Sequence, residues 1–95
     1  MSTQAVFKAL SDPTRREILR MLRTRPMQAG ELSEAFPMTK GSLSHHYNIL
    51  KAADLIRCER HGQFLVYSLN TSVLEEVMAS LAELLRPEGK KRRKS

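Results

Sequence analysis

Six side chains between residues 40 and 51 share one kind of chemistry. Lys40, Ser42, Ser44, His45, Asn48 and Lys51 supply two ammonium groups, two hydroxyls, an imidazole and an amide, with no acid among them until Asp54. Ammonium groups pair with phosphate oxygens, and hydroxyls and amides give or take hydrogen bonds at base edges. A solvated helix normally mixes both signs of charge, and this stretch does not. The interleaved residues Leu43, Tyr47 and Leu50 recur at three- and four-residue spacing, and Ile49 and Ala53 widen the stripe. That is the period of a helix buried along one side. Thr39 is placed to cap it, its oxygen taking a backbone N–H two or three residues on. The plainer alternative is an ordinary packed helix with a polar surface. The neighbouring elements favour a face that meets nucleic acid.

Such a helix has to be presented. Just upstream, a short extended Met27 and a Gln28 cap lead into residues 29–36, a shorter helical pattern carrying Glu31 and Glu34, and Pro37-Met38 then breaks the chain. Two helices joined by so short a turn make a helix-turn-helix. The first is acidic, so the second is the one that faces a polyanion. Downstream, the apolar period changes from 3.6 to 2. Residues 55–60 and 64–69 read as strands joined by His61-Gly62-Gln63, with glycine where a positive φ is needed. A hairpin directly after a recognition helix is a wing. Arg57, Arg60, His61 and Gln63 stand at or near its tip, within reach of phosphates or a minor groove. A solvated hairpin tip is the plainer reading there too.

The ends supply the support. Residues 4–10 read as a short helix with Ala5, Val6, Ala9 and Leu10 apolar. Asp12 can cap the next helix, and Pro13 suits its first position, where no N–H bond is lost. That second helix runs from residue 14 to about residue 23. Ile18, Leu19, Met21 and Leu22 form its core stripe, with Arg15, Arg16, Arg20 and Arg23 largely on the other side. Asn70 or Thr71 caps a last helix over residues 72–86, which carries Val73, Leu74, Val77, Met78, Leu81, Leu84 and Leu85. That stripe is wider than one small domain needs. One side is expected to bury on the domain's own core and the other on the same helix of a second subunit. With the N-terminal helix, this predicts a homodimer seam of Val6, Leu10, Val77, Met78, Leu81, Leu84 and Leu85. A wholly intramolecular helix is the alternative.

Ninety-five residues make one small domain with a modest core, the kind that gains stability by oligomerising. The formal charge is +6, but residues 87–95 hold +4 of it, leaving +2 for the rest. We therefore divide the chain into a domain over residues 1–86 and a basic, disordered tail over 87–95. The tail either adds sequence-independent phosphate attraction or merely aids solubility. One cysteine, Cys58, excludes an internal disulfide and fits a reducing cytoplasm. No apolar run reaches the roughly 18 residues of a membrane span, and no signal peptide opens the chain. A cytoplasmic protein without membrane insertion is expected.

Three segments carry a family resemblance. Residues 7–19 (FKALSDPTRREIL) are similar to the opening of ArsR-type winged-helix repressors. Residues 43–51 (LSHHYNILK) resemble their recognition helix, with Tyr47 where leucine is common, and residues 62–70 (GQFLVYSLN) resemble their second wing strand. The match extends nearly to Arg86 and looks nearest to the SdpR-like autorepressor subgroup. It implies a mainly α fold with a small β-hairpin, a winged helix-turn-helix in the order α-α-α-α-β-β-α. It also implies a homodimer that binds double-stranded DNA at an imperfect palindrome in a promoter, often its own, and blocks transcription.

Many such repressors sense metals, so ligands have to be sought. The resemblance puts one site on cysteines in the first helix of the helix-turn-helix, and residues 28–36 contain none. It puts another on Asp and His of the last helix, which offers only Glu75, Glu76 and Glu83, a poor set for zinc. His45 and His46 are adjacent and point to different sides of a helix, His45 to the groove and His46 to the core edge. No metal and no cofactor are expected, and release would fall to an anti-repressor protein or to self-limiting repression. The competing readings are a redox- or ligand-responsive sensor repressor, with Cys58 as its thiol, and a winged helix that docks proteins. An enzyme is not expected. No Ser–His–Asp set, glycine-rich phosphate loop or ligand cluster is present.

Overall fold

The computed structural model describes residues 2–87. The predicted tail, apart from Pro87, lies outside the described residues. The elements run α1 (Thr3–Leu10), α2 (Pro13–Leu22), β1 (Met27–Gln28), α3 (Ala29–Ser33), α4 (Lys40–Ala52), β2 (Ile56–His61), β3 (Phe64–Leu69) and α5 (Thr71–Leu85). The architecture is mostly helical with a small antiparallel sheet in the order β1-β3-β2.

Local chemistry sets most boundaries. The Asp12 carboxylate accepts the Arg15 backbone N–H at 3.1 Å, and Pro13 occupies the first position of α2. The Thr39 hydroxyl accepts the Ser42 N–H at 3.1 Å and starts α4. Gln28 opens α3, its backbone N–H donating to the Glu31 carboxylate at 3.3 Å. That helix ends earlier than the predicted residue 36. Beyond Ser33 the bonds tighten to three-residue spacing, Ala35 to Leu32 and Phe36 to Ser33, and Pro37 disfavours helix before it. Met27 is extended and Gln28 caps α3, as expected, but the two residues form a strand, β1, that the predicted order lacks. Its two residues pair with β3, Met27 opposite Tyr67 and Gln28 opposite Val66. A two-residue strand has no period to read, since only its long-range partner creates it.

The hairpin register places His61 opposite Phe64, so the turn is Gly62-Gln63, with Gly62 at φ 67°. Glycine at the first of two turn positions suits a type II′ connection, whose twist matches the strands. At the start of α5, Asn70 occupies the cap position without a side-chain cap bond, contrary to expectation. Its amide instead donates to the Asp54 carbonyl at 2.8 Å, and its carbonyl oxygen accepts from Arg57 at 3.3 Å.

One core joins these pieces. Val6 and Ala9 (α1), Ile18 and Leu22 (α2), Leu32 (α3), Leu43, Tyr47 and Leu50 (α4), Tyr67 (β3), and Val73 and Val77 (α5) are buried together. Val6 and Val77, predicted for the dimer seam, therefore belong to the subunit's own interior. Arg15, predicted on the outer side of α2, is buried as well, at 7 % exposure.

The end of α4 is a left-handed cap. Leu55 N–H donates to Leu50 O at 3.0 Å and Asp54 N–H to Lys51 O at 2.9 Å, with Asp54 at φ 59°. This is a Schellman motif, and the apolar contact that accompanies it falls to Leu50 and Leu55, both fully buried. Aspartate tolerates that conformation less well than glycine. Asp54→Gly is expected to leave stability unchanged or raise it by up to about 1 kcal/mol, and Asp54→Val to lower it by at least about 1 kcal/mol. Thermal melts of the two variants check the order.

Candidate nucleic-acid interface

The helix α4 is anchored along one side by Leu43, Tyr47 and Leu50. It packs against α1, α2 and β2. On its other side Lys40, Ser42, Ser44, His45, Asn48 and Lys51 are all exposed. Neither lysine makes an ion pair among the described residues. The predicted polar face is thus one surface, presented by one rigid element and carrying uncompensated positive charge.

The wing completes that surface unevenly. Arg60, His61 and Gln63 are exposed at the free end of the hairpin. Arg57 sits at the far end of β2, opposite Ser68, and is tied to Asn70. It is exposed but does not join the tip. Glu59, an acid given no part above, approaches His61 to 3.1 Å and offsets charge there. Phe64 and Leu65 are exposed apolar residues on the same hairpin. Between α4 and the wing lies an open cleft lined by Lys40, Ser44 and Tyr47 on one side and Leu65 and Tyr67 on the other, with Ala29, Gly30 and Ser33 of α3 at its floor.

Beneath the cleft the Tyr47 and Tyr67 rings lie 4.7 Å apart, and the Tyr47 hydroxyl is buried with no partner among the described residues. Burial pushes the Tyr67 hydroxyl up to about 12, with the neighbouring Cys58 thiol and Tyr47 adding to it. Tyr67 therefore stays protonated across the physiological range. Cys58 is a half-buried free thiol against that ring. No group of three or more His, Cys, Asp or Glu side chains that could hold a metal ion exists among the described residues.

His46 points inward, as expected of the second histidine. Arg15 meets it there, its Nη1 3.1 Å from His46 Nδ1. A signal for Arg15 was present in its position. Residues 15, 18, 19 and 22 share one helical face, so Arg15 sits on the apolar stripe of α2.

On the seam, Leu10 is half-buried, while Met78, Leu81, Leu84 and Leu85 are 67, 45, 79 and 86 % exposed. Phe7 on α1, absent from the predicted seam, is exposed at 44 %.

A half-buried helix with a basic outer face, set after a short helix and before a hairpin, defines a winged helix-turn-helix DNA-binding domain. The profile of the bacterial regulatory protein, arsR family, matches residues 12–57. The transcriptional repressor SdpR of Bacillus subtilis is 56 % identical over 71 residues, covering 75 % of this chain and 79 % of that protein. An arsenical resistance operon repressor of Staphylococcus xylosus is 34 % identical, covering 80 % and 73 %. An ArsR-like transcriptional regulator from Rhodococcus sp. RHA1 superimposes with a TM-score of 0.80 at 28 % identity, covering 96 % of this chain and 84 % of that one. The crystal structure of another ArsR family regulator gives 0.81 at 32 % identity, covering 86 % and 84 %. The chain belongs to the ArsR family of bacterial transcription regulators, whose members are DNA-binding proteins and not enzymes. No helix among the described residues is long and apolar enough to cross a membrane.

Base reading by α4 and phosphate holding by the wing are expected to be separable by mutation. Ser44→Ala should reduce discrimination between cognate and altered sites by about 1–3 kcal/mol, as loss of a good base contact does. Arg60→Ala should weaken all duplexes alike and lower the salt slope by about 1. Binding titrations across salt check both, and an arginine change that altered specificity while the serine change did nothing would reverse the assignment.

Proposed function

We propose that the protein is a homodimeric, sequence-specific transcriptional repressor that binds an imperfect palindrome in a promoter, its own included. The observation that carries this is the acid-free outer face of α4, six exposed polar side chains backed by three buried apolar ones. Ser42, Ser44 and His45 read base edges in a major groove, with Asn48 on the same face. Lys40, Lys51, Arg57 and Arg60 mainly hold phosphates, and His61 and Gln63 of the wing touch phosphates or a minor groove. The likeness to SdpR and to the arsenical resistance operon repressor supports a repressor over an activator. Residues 1–86 are the working domain, and the cations of residues 90–94 add attraction that is blind to sequence.

The dimer reading rests on α5. From residue 78 to residue 87 every side chain is exposed, including Met78, Leu81, Leu84 and Leu85. The subunit thus leaves the last two turns of an apolar helix uncovered, and a second copy of α5, with Phe7 and Leu10 of α1 beside it, supplies the cover. Pairing also sets two recognition helices on successive grooves of one duplex face.

No metal acts as inducer on this reading. Cys58, His45, His46 and His61 are scattered over α4 and the wing, and α5 offers only carboxylates. Release of the operator comes from an anti-repressor protein or from self-limitation as the repressor accumulates. The protein works in the cytoplasm, where its promoter is.

A polarisation titration with the gene's upstream region should show preference over random duplex, half-sites about 34–36 Å apart, and affinity that falls steeply with salt. The same titration with zinc, arsenite or a chelator should overlay. Absence of any preference over random duplex would sink the repressor reading. Sedimentation tests the seam separately. Leu81→Glu or Leu84→Glu places a charge in an apolar contact at a cost of several kcal/mol, so these variants should run as monomers with weakened operator binding. A wild-type monomer at micromolar concentration would contradict the dimer.

A further inference from the structure

We propose that Arg15 and His46 form a positioning relay, which fixes the rotation of the recognition helix α4 relative to α1 and so relative to the dimer partner. The relay rests on the dimeric DNA-binding reading above and adds to it the part that sets the reading angle.

Arg15 is the sole buried charged residue among the described residues. Three nitrogens of its guanidinium are engaged. Nε donates to Ala9 O at 2.7 Å and Nη2 to Lys8 O at 3.0 Å, both carbonyls of the last turn of α1. Nη1 donates to Nδ1 of His46 at 3.1 Å, halfway along α4. Because the guanidinium has only N–H donors, Nδ1 is the acceptor in this bond. The Asp12 carboxylate that caps α2 lies 3.8 Å from the same Nδ1. Standing on α2, one buried cation therefore joins the end of α1 to the middle of α4. Its charge is balanced by the negative end of α1 and by Asp12. Arg16 strengthens the grip on α1, donating to Leu10 O at 2.8 Å.

A buried cation is a poor device for stability alone. Apolar residues of similar volume commonly do as well or better. Apolar packing, however, tolerates small rotations of a helix about its axis, whereas a fixed fork of hydrogen bonds does not. The remaining anchors of α4, namely Leu43, Tyr47 and Leu50, are held by packing, and the Tyr47 hydroxyl has no hydrogen-bond partner among the described residues. His46 is next in the chain to His45, which faces outward, and the two rings lie 6.0 Å apart. With side chains a helix is about 10–12 Å across, so a rotation of about 10° moves an atom on its rim by about 1 Å. That is enough to spoil a base contact while leaving phosphate contacts, which are less directional, in place. The far end of the relay is α1, whose exposed Phe7 and half-buried Leu10 flank the seam.

The test compares wild type with Arg15→Met, His46→Leu and His46→Asn. Asparagine keeps an acceptor oxygen near the place of Nδ1, and leucine does not. Arg15→Met and His46→Leu should lose about tenfold or more of the preference for operator over random duplex, with random-duplex affinity unchanged. His46→Asn should restore the preference. The relay is wrong if Arg15→Met or His46→Leu keeps full preference, or if His46→Asn falls as far as leucine. Should Arg15→Met fail to fold, the two His46 variants decide. A second readout needs no DNA. In a Cys58→Ser background, spin labels at Lys8→Cys and Ser44→Cys, in subunits diluted with unlabelled protein, should give a narrow distance distribution. That distribution should broaden with His46→Leu and stay narrow with His46→Asn. Equal widths in all three would overturn the relay. A wild type without operator preference would overturn the repressor reading, and the distance widths would still decide the relay.

Discussion

The structure depends on one requirement, that a single helix be buried and exposed at once. Leu43, Tyr47 and Leu50 must be taken from water while Lys40, Ser42, Ser44, His45, Asn48 and Lys51 stay in it. Burying three large side chains contributes about 1.5–3 kcal/mol each, and that is what holds α4 to the core. The cost is that α4 can give its neighbours no polar residue from its outer face. Its orientation is then left to whatever polar residue stands at the border between the two faces, and His46 is that residue. The rest of the fold arranges itself to supply partners, with α1 and α2 on one side, α3 before it and β2 behind.

How far this was legible in the sequence follows from which features are local. Asp12, Pro13 and Thr39 mark helix starts by side chains that act within three residues, and the structure places all three as read. The apolar periods gave the helices and the hairpin for the same reason. What escaped was made by distant partners. The pairing of Met27 with Tyr67 creates β1. The Asp54 carbonyl draws the Asn70 amide away from capping α5. Arg15 looks like surface to any rule that places cations outside, yet its spacing from Ile18, Leu19 and Leu22 marks it as core. A charged residue on an apolar stripe is better read as a question about its partner than as noise. The seam was misassigned at two positions by the converse error. Val6 and Val77 are apolar and periodic, but periodicity cannot say which of two apolar surfaces a residue serves, and both are used up inside the subunit.

The exposed end of α5 gives that distinction its meaning. Its first half contributes Val73 and Val77 to the core, and its second half contributes nothing. An isolated helix of about 12–15 residues is marginal in water, and helices in proteins owe most of their stability to packing of an apolar face. Two turns carrying four large exposed apolar residues take no such support from the subunit itself, which is why the proposed dimer places a second copy there. The same uncovered stripe would serve association of any geometry. On the proposed dimeric reading the duplex would select a two-fold pair, because grooves recur on one face at fixed spacing and reward only subunits held at a matching distance.

Charge placement follows the same logic of leaving one surface unopposed. Outside the last nine residues the net charge is only +2, too small to attract DNA as a whole. The acids, however, are held elsewhere. Glu17 pairs with Arg20, Glu31 with Arg25 and Glu83 with Arg86. These exposed pairs add little to stability. Their effect is on the field. Each removes a carboxylate and a guanidinium together from the local balance, and none of them draws on Lys40 or Lys51. At physiological salt, exposed charges further apart than about 8 Å are largely screened from one another. A phosphate near the outer face of α4 meets two lysines without ion-pair partners among the described residues, while one near the wing tip meets Arg60 and His61 with Glu59 beside them. On the proposed reading, affinity is concentrated on the recognition helix, and the wing contributes less. In such an arrangement a shift of α4 by a fraction of a turn redirects both the base contacts and most of the positive field. Fixing its rotation accordingly matters more here than in a domain whose cations are spread evenly.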